Sequence, residues 1–360
     1  MPSKSHVHAA EPPVFPDHFD RVPDSIVLLV LNKVADVRSL GRCCAVSRRF
    51  SALVPLVHDV YVKIDRVVTV DGDAADEASN PSSPKPCNLF SSLLKLVVFA
   101  VLKPLHHLRS TACGYKPLLP QLSHHSPAQV LKNFAHVRNL RIELPAGDVG
   151  TEGGVLLKWR AEFGSTLQSC VILGGTRMDR KAAAGGDPEQ PPSEDNGSIP
   201  DSFYTNGGLK LRVVWTISSL IAASTRHYLL RQIIRDHPTL RSLVLTDADG
   251  QGTLSMGQEQ LREFREKPLA ASASSNRTQV PASLLKLRYA SYLELPGGVG
   301  MQGATLVAIK PAAEGNGAAG NGSRKDAEAF VSGAFDEPFF RAAVKALVKR
   351  RIYLLEMNSF

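Results

Sequence analysis

The sequence contains one glycine pattern that could bind a nucleotide. Gly298, Gly300 and Gly303 have the GxGxxG spacing of a dinucleotide-binding loop. Such a loop requires a helix to begin there, because the helix N-terminus binds the pyrophosphate. The residues that follow, Ala304–Ile309, have the apolar composition of a strand instead. The pattern therefore predicts a hairpin turn and no cofactor.

Candidate metal ligands are equally poorly spaced. His106–His107 and His124–His125 are adjacent pairs, whereas two ligands on one helix face stand four residues apart. Asp247–Gly250 begins like a calcium loop but lacks the glutamate about a dozen residues later. The five cysteines form no CxxC pair, and Cys43 and Cys44 are neighbours. We expect no catalytic, cofactor-binding or metal-binding residues, and reduced, mostly buried thiols.

The most informative segment is an apolar block near the N-terminus that could form three short helices. Pro23 suits the first turn of a helix, and the helix dipole favours the negative charge of Asp24 beside it. Six apolar residues follow without interruption, Ile26–Leu31. Asp36 and Ser47 are placed to cap a second and a third helix, the last ending at Pro55. A helix that is apolar all round must be covered on more than one side.

Three short helices bury little surface by themselves, so this block requires a partner. The partner could be the rest of the chain or a second protein. Its sequence resembles the F-box: a Val-Pro-Asp opening at Val22, aliphatic positions along the first helix, a central Leu40, and a closing Val-Ser-Arg-Arg-Phe at Val46–Phe50. Val22 replaces the usual Leu and Ser25 the usual Glu. More narrowly, the block is similar to that of the plant auxin up-regulated F-box proteins, which also have leucine-rich C-terminal regions.

The resemblance implies a substrate receptor of a ubiquitin ligase. Its F-box binds a Skp-type adaptor and, through it, a cullin and a RING subunit, while the C-terminal region binds an unknown target protein. The chain itself is then not an enzyme. We expect the adaptor to contact a set of mostly apolar side chains, some of which could instead lie inside the helical unit: Pro23, Ile26, Val30, Leu31, Val34, Leu40, Val46 and Phe50.

The C-terminal region repeats the spacing L-x-x-L-x-L, which is typical of leucine-rich repeats. The runs begin at Val137, Leu167, Leu209, Leu240 and Leu284, with gaps longer than the usual repeat. A pattern of apolar residues from 218 to 237 predicts an amphipathic helix that stops at Pro238. We expect a mixed α/β fold: a three-helix F-box followed by an irregular leucine-rich-repeat-like solenoid. The alternative is an ordinary α/β domain without repeats.

The predicted domains follow from composition. Residues 17–62 form the F-box, 63–128 a linker with a helical segment, 129–310 the repeat-like substrate domain, and 327–360 a C-terminal capping helix whose apolar face runs from Phe340 to Ile352. Polar, proline- or glycine-rich stretches predict disorder at 1–16, 71–86, 180–202 and 311–326.

Composition also bears on the class of partner. No apolar run approaches the length of a membrane span, which predicts a soluble protein of the nucleus or cytoplasm. The net charge is +8, but the basic residues are dispersed and aromatic residues make up 6%, which disfavours nucleic acid as a partner. Two other functions stay open at this point: a leucine-rich interaction scaffold without a ligase role, and an enzyme.

Overall fold

The computed structural model describes residues 18–64, 130–146, 155–180, 203, 207–267, 277–312 and 329–360. Three short helices open the chain: α1 (Asp24–Val34), α2 (Val37–Val46) and α3 (Arg48–Leu53). Three more follow: α4 (Gly208–Asp236), α5 (Gln258–Glu266) and α6 (Pro338–Val348). Single 3-10 turns lie at His18–Arg21 and Val54–Leu56. The predicted linker helix and most of the predicted disordered stretches lie outside the described residues.

The strands form one mixed sheet of ten strands. They are β1 (Asp59–Lys63), β2 (Asn139–Leu144), β3 (Leu156–Phe163), β4 (Leu167–Gly175), β5 (Arg177–Arg180), β6 (Ser242–Asp247), β7 (Gly252–Met256), β8 (Ser283–Leu295), β9 (Val299–Pro311) and β10 (Tyr353–Met357). The order across the sheet is β1-β2-β6-β7-β3-β4-β9-β8-β10, and β5 pairs with β9.

Part of this sheet matches the expected repeats. β1, β2 and β6 are parallel neighbours in chain order, and Val60 aligns with Leu140, which aligns with Leu243. The next aligned row is Val62, Ile142 and Leu245. The same spacing occurs in these three neighbouring parallel strands, of which the first, in the segment beginning at Val57, was not among the predicted runs.

The rest of the sheet departs from a solenoid. β4, β9, β8 and β10 are joined by antiparallel pairings, which a stack of identical repeats cannot produce. Two predicted repeats, those beginning at Leu167 and Leu284, are strands of this antiparallel half. The mixed α/β class is observed, whereas the described residues form a single mixed sheet rather than a repeat array.

The run beginning at Leu209 is a helix, so its assignment as a strand was wrong. Apolar residues alternate there, but the buried side of α4 also includes polar residues, among them Arg212, Thr216 and Ser219. Once these are counted, the spacing is that of a helix. The helix ends with His237 as its C-cap, before Pro238, as predicted.

The C-terminal helix is shorter than predicted. α6 ends at Val348, and Ile352 is exposed beyond it. The following residues form β10 because the edge of β8 offers Ser283–Leu287 as a pairing partner. The helix covers a face of β8 and β9, and does not cap the end of a solenoid.

The two faces of the antiparallel half are both covered. On one face, α4 packs against β3, β4 and β7, with Trp215 among the buried residues. On the other, Phe340, Val344 and Leu347 of α6 pack against Leu306. β4 is therefore buried almost along its length, including Leu173. The GxGxxG segment lies at the β8–β9 hairpin and continues into strand, as predicted.

Candidate functional site: the helical face at the N-terminus

α1 is half buried and half exposed. Pro23 is its N-cap residue, with extended backbone, and Asp24 lies in the first turn. Val27 packs inside the protein, yet Leu29 and Val30, two residues of the same apolar run, are 59% and 53% exposed. The rest of the described chain therefore covers only one side of this helix.

α2 and α3 are held by the two caps that the sequence predicted. The carboxylate of Asp36 accepts hydrogen bonds from Ser39 N at 2.9 Å and from its Oγ at 2.7 Å. Burial opposes ionisation of Asp36, but the hydrogen bonds from Ser39 outweigh it and hold the pKa of this carboxyl below its usual value. Ser47 Oγ accepts a hydrogen bond from Phe50 N at 3.1 Å. Each cap satisfies an amide that the helix leaves unpaired.

Arg49 fastens the third helix to the start of the first. Its Nε donates to Asp24 Oδ1 at 2.7 Å, its Nη1 donates to the carbonyl oxygen of Phe19 at 2.6 Å, and its Nη2 donates to that of Val22. The rings of Phe19 and Phe50 meet edge to face, with centroids 5.8 Å apart. Arg49 and Phe50 of the closing motif therefore have an internal role: they fix the entry to α1 and shape the exposed face.

The residues predicted to meet the adaptor divide into two groups. Pro23, Ile26, Val30, Val34 and Val46 are exposed, and Phe50 is partly exposed. Leu31 and Leu40 are 4% and 0% exposed, so they hold the helices together and offer no free surface. The prediction missed three exposed apolar side chains of the same segment: Phe19, Leu29 and Leu56. Leu29 was detectable, since it belongs to the uninterrupted apolar run, and Leu56 lies in the apolar segment Leu53–Val57, whereas Phe19 stands alone in the sequence.

The helical unit is continuous with the sheet. Asn32 of α1 accepts hydrogen bonds from His58 N at 2.7 Å and Asp59 N at 3.1 Å, and donates to the carbonyl oxygen of Leu28 at 2.9 Å. Tyr61 N donates to the carbonyl oxygen of Ala35 at 2.9 Å. One hydrophobic core runs from the helices into the sheet.

Within the described part of the chain, no three metal-ligating side chains of His, Cys, Asp or Glu lie together. None of the helices in this part is long and apolar enough to cross a membrane. The histidine pairs at His106 and His124 lie outside it.

Comparison with known proteins identifies the family. No protein-family model matches the chain, and no solved structure matches it. Curated proteins do: F-box protein At5g46170 of Arabidopsis thaliana is 50% identical over 99% of this chain and 97% of its own length. F-box protein At4g18380 is 50% identical over 96% of this chain and 94% of its own. F-box protein AUF1 is 37% identical over 96% of this chain and its own full length. The chain therefore belongs to the plant F-box proteins, the family to which the auxin up-regulated F-box proteins also belong.

Proposed function

We propose that this chain is the substrate-recognition subunit of a Skp–cullin–F-box ubiquitin ligase. The exposed face of α1, α2 and α3 binds the Skp-type adaptor, which connects the chain to the cullin and the RING subunit. The sheet domain binds a target protein and holds it near the ubiquitin-charged enzyme. Holding two reactants together makes ubiquitin transfer effectively intramolecular, so the chain needs no catalytic group of its own.

The observation that carries this proposal is the distribution of exposed apolar side chains. The described residues include thirteen large hydrophobic side chains that are strongly exposed, and seven of them lie between positions 19 and 56. A soluble surface rarely gathers apolar groups so densely unless a partner covers them. Burying one fully exposed Val, Leu or Ile side chain is worth about 1.5–3 kcal/mol, and each of these seven side chains, 38–70% exposed, would contribute part of that on binding.

The test is a charge placed on that face. Val30→Asp changes a residue that is 53% exposed, so it leaves the core intact while placing a carboxylate in the proposed contact. We expect it to abolish co-purification with a recombinant Skp-type adaptor. Val213→Asp is the matched control: Val213 is 48% exposed on α4, away from the three helices, and should leave adaptor binding unchanged.

Equal adaptor binding by wild type and Val30→Asp would refute the proposed interface. Failure of the wild-type chain to bind the adaptor at all would favour an interaction scaffold without a ligase role. We also propose that the protein acts in the nucleus or the cytoplasm and that it takes part in the response to auxin. Mass spectrometry of proteins that accumulate with it under proteasome inhibition would identify the target.

A further inference from the structure

A second feature of the sheet domain lies away from the three helices: a cavity of about 850 Å³ at the start of α4. Its wall combines the first residues of that helix with the β8–β9 hairpin and the loop after β4. The polar and aromatic side chains in this wall include Lys210, Arg212, Tyr289, Ser291, Thr176 and Gln302. None of the described residues that line it is an Asp or a Glu.

Arg212 is the unusual member of this wall. It is 4% exposed, and burial lowers the pKa of its guanidinium. Its Nε donates to Thr305 Oγ1 at 2.9 Å, its Nη1 to the carbonyl oxygen of Gly208 at 2.7 Å, and its Nη2 to that of Gly303 at 3.2 Å. These acceptors are all neutral. Within the described part of the chain, Arg212 forms no ion pair with a carboxylate.

Two aromatic rings partly compensate the buried positive charge of Arg212. The guanidinium carbon lies 4.7 Å from the ring centroid of Phe203 and 4.7 Å from that of Tyr289. A cation over an aromatic face gains a modest electrostatic attraction, which is smaller than the cost of burying an unpaired charge. Arg226, the other buried arginine of α4, does form an ion pair: its Nη2 lies 2.6 Å from Oδ1 of Asp247. The same helix thus compensates one buried guanidinium with an anion and leaves the other facing a cavity.

Two further features make the cavity attractive to an anion. Lys210 lies one turn or less from Arg212 on the same helix and is exposed. α4 is 29 residues long, and its N-cap, Gly207, has no side chain to satisfy the first amides. A helix leaves its first amides without an intrahelical partner, and these amides and the helix dipole favour negative charge at the N-terminal end. Ser291 adds a hydroxyl group to the same wall, whereas Thr176 Oγ1 already donates to the carbonyl oxygen of Gln302 at 3.1 Å and Gln302 Nε2 to Asp179 Oδ2 at 2.7 Å.

We propose that this cavity binds a small organic molecule that carries a phosphoryl group, with the phosphoryl oxygens between Lys210, Arg212 and the first amides of α4. A phosphoryl group offers three acceptor oxygens, which matches donors arranged on several sides. Tyr289 and the partly exposed Leu211 and Val214 form an apolar part of the wall, suited to an organic body. This site is independent of the adaptor interface.

The experiment uses the full chain in complex with a Skp-type adaptor, or alone where the complex does not form. Binding of inorganic phosphate, phenyl phosphate and benzoate is measured by the shift in melting temperature at constant ionic strength. We expect saturable stabilisation by phosphate, tighter binding of phenyl phosphate, and weaker binding of benzoate, whose carboxylate offers two acceptor oxygens where the phosphoryl group offers three terminal ones. Tighter binding of benzoate than of phenyl phosphate would overturn the phosphoryl assignment.

Lys210→Gln locates the site, because an exposed side chain can be replaced without disturbing the core. Removing one charge at contact distance should weaken phosphate binding about fivefold or more. Lys345→Gln, on the exposed side of α6, is the matched control and should bind as wild type does. Unchanged affinity in Lys210→Gln, or no saturable binding by wild type, would overturn the proposal. Arg212→Met should lose binding entirely, and its own melting curve without phosphate shows whether it has folded.

Discussion

The junction between the helices and the sheet can be tested through Asn32. Replacement of Asn32 by Ala removes the acceptor for the backbone N–H groups of His58 and Asp59, and the donor to the carbonyl oxygen of Leu28. An amide left without a partner costs about 1–3 kcal/mol when it is buried. Because these groups are only partly buried, we expect a total loss of about 2 kcal/mol in the free energy of unfolding.

A loss of this size is measurable. For a domain of this size it corresponds to a fall of about 4–8 °C in melting temperature. Thermal and urea unfolding of wild type and Asn32→Ala would provide both quantities. Asn32→Asp keeps an acceptor for both N–H groups and should lose less than half as much. It still loses the donated bond and places a negative charge in the last turn of α1, which the helix dipole disfavours.

Gln232→Ala provides the control. Gln232 also donates two side-chain hydrogen bonds, to the carboxylate of Asp236 at 3.0 and 3.1 Å, but on the exposed side of α4. Its removal should change stability by less than about 0.5 kcal/mol. An equal loss of stability in Asn32→Ala and Gln232→Ala would show that Asn32 does not hold the junction between the helices and the sheet.

Two further predictions concern buried ionisable side chains in the sheet domain. Burial lowers the pKa of His227 to about 4, against 6.5 for the free side chain. The imidazole therefore binds a proton more readily in the unfolded chain than in the folded one. The stability due to neutral His227 is complete above pH 6.5 and is lost as the pH falls toward 4. At pH 5 the loss in the free energy of unfolding is about 2 kcal/mol. Urea titrations at pH 7.5 and 5 should show this extra loss in wild type and not in His227→Gln, and an equal pH dependence in both would contradict it. Asp247→Ala should cost about 3–5 kcal/mol, because it leaves Arg226 buried without a counter charge. Adding Arg226→Met should restore part of that loss in the same unfolding assay, and a double variant that is less stable than Asp247→Ala would count against the ion pair as the cause.

Local chemistry made the helical block predictable. Asp36 and Ser47 act over three residues, and each caps the helix that it was predicted to cap. Pro23 lies one position earlier than predicted, as the N-cap residue of α1 and not in its first turn. The same local information could not separate the interior from the surface. Leu31 and Val30 are adjacent aliphatic residues of one apolar run, yet the first is buried and the second exposed. Which side of an all-apolar helix faces inward depends on where the chain places its other elements.

Long-range pairing explains most of the remaining errors. β10 forms because β8, some 70 residues earlier, offers an unpaired edge. The sequence of Tyr353–Met357 contains no information about that edge. α4 was divided into a strand and a helix because its buried face includes Arg212 and Thr216, which a search for apolar periodicity does not count. The strands that contain Leu140 and Leu243 were predictable as strands because each repeats one local spacing. That spacing does not set the direction of pairing, since the runs beginning at Leu167 and Leu284 repeat it and pair antiparallel.

The continuity of the helical unit with the sheet has a mechanical consequence. Asn32, the backbone pairing of Tyr61 with Ala35, and a shared core leave no free hinge between the helices and the sheet within the described residues. A target held on the sheet would therefore have its orientation fixed relative to whatever the helices grip. In the proposed ligase, this rigid connection would restrict ubiquitin transfer to those lysines of the target that lie close to the ubiquitin-charged enzyme. The choice of lysine would then be set as much by the stiffness of this receptor as by the chemistry of the site that recognises the target.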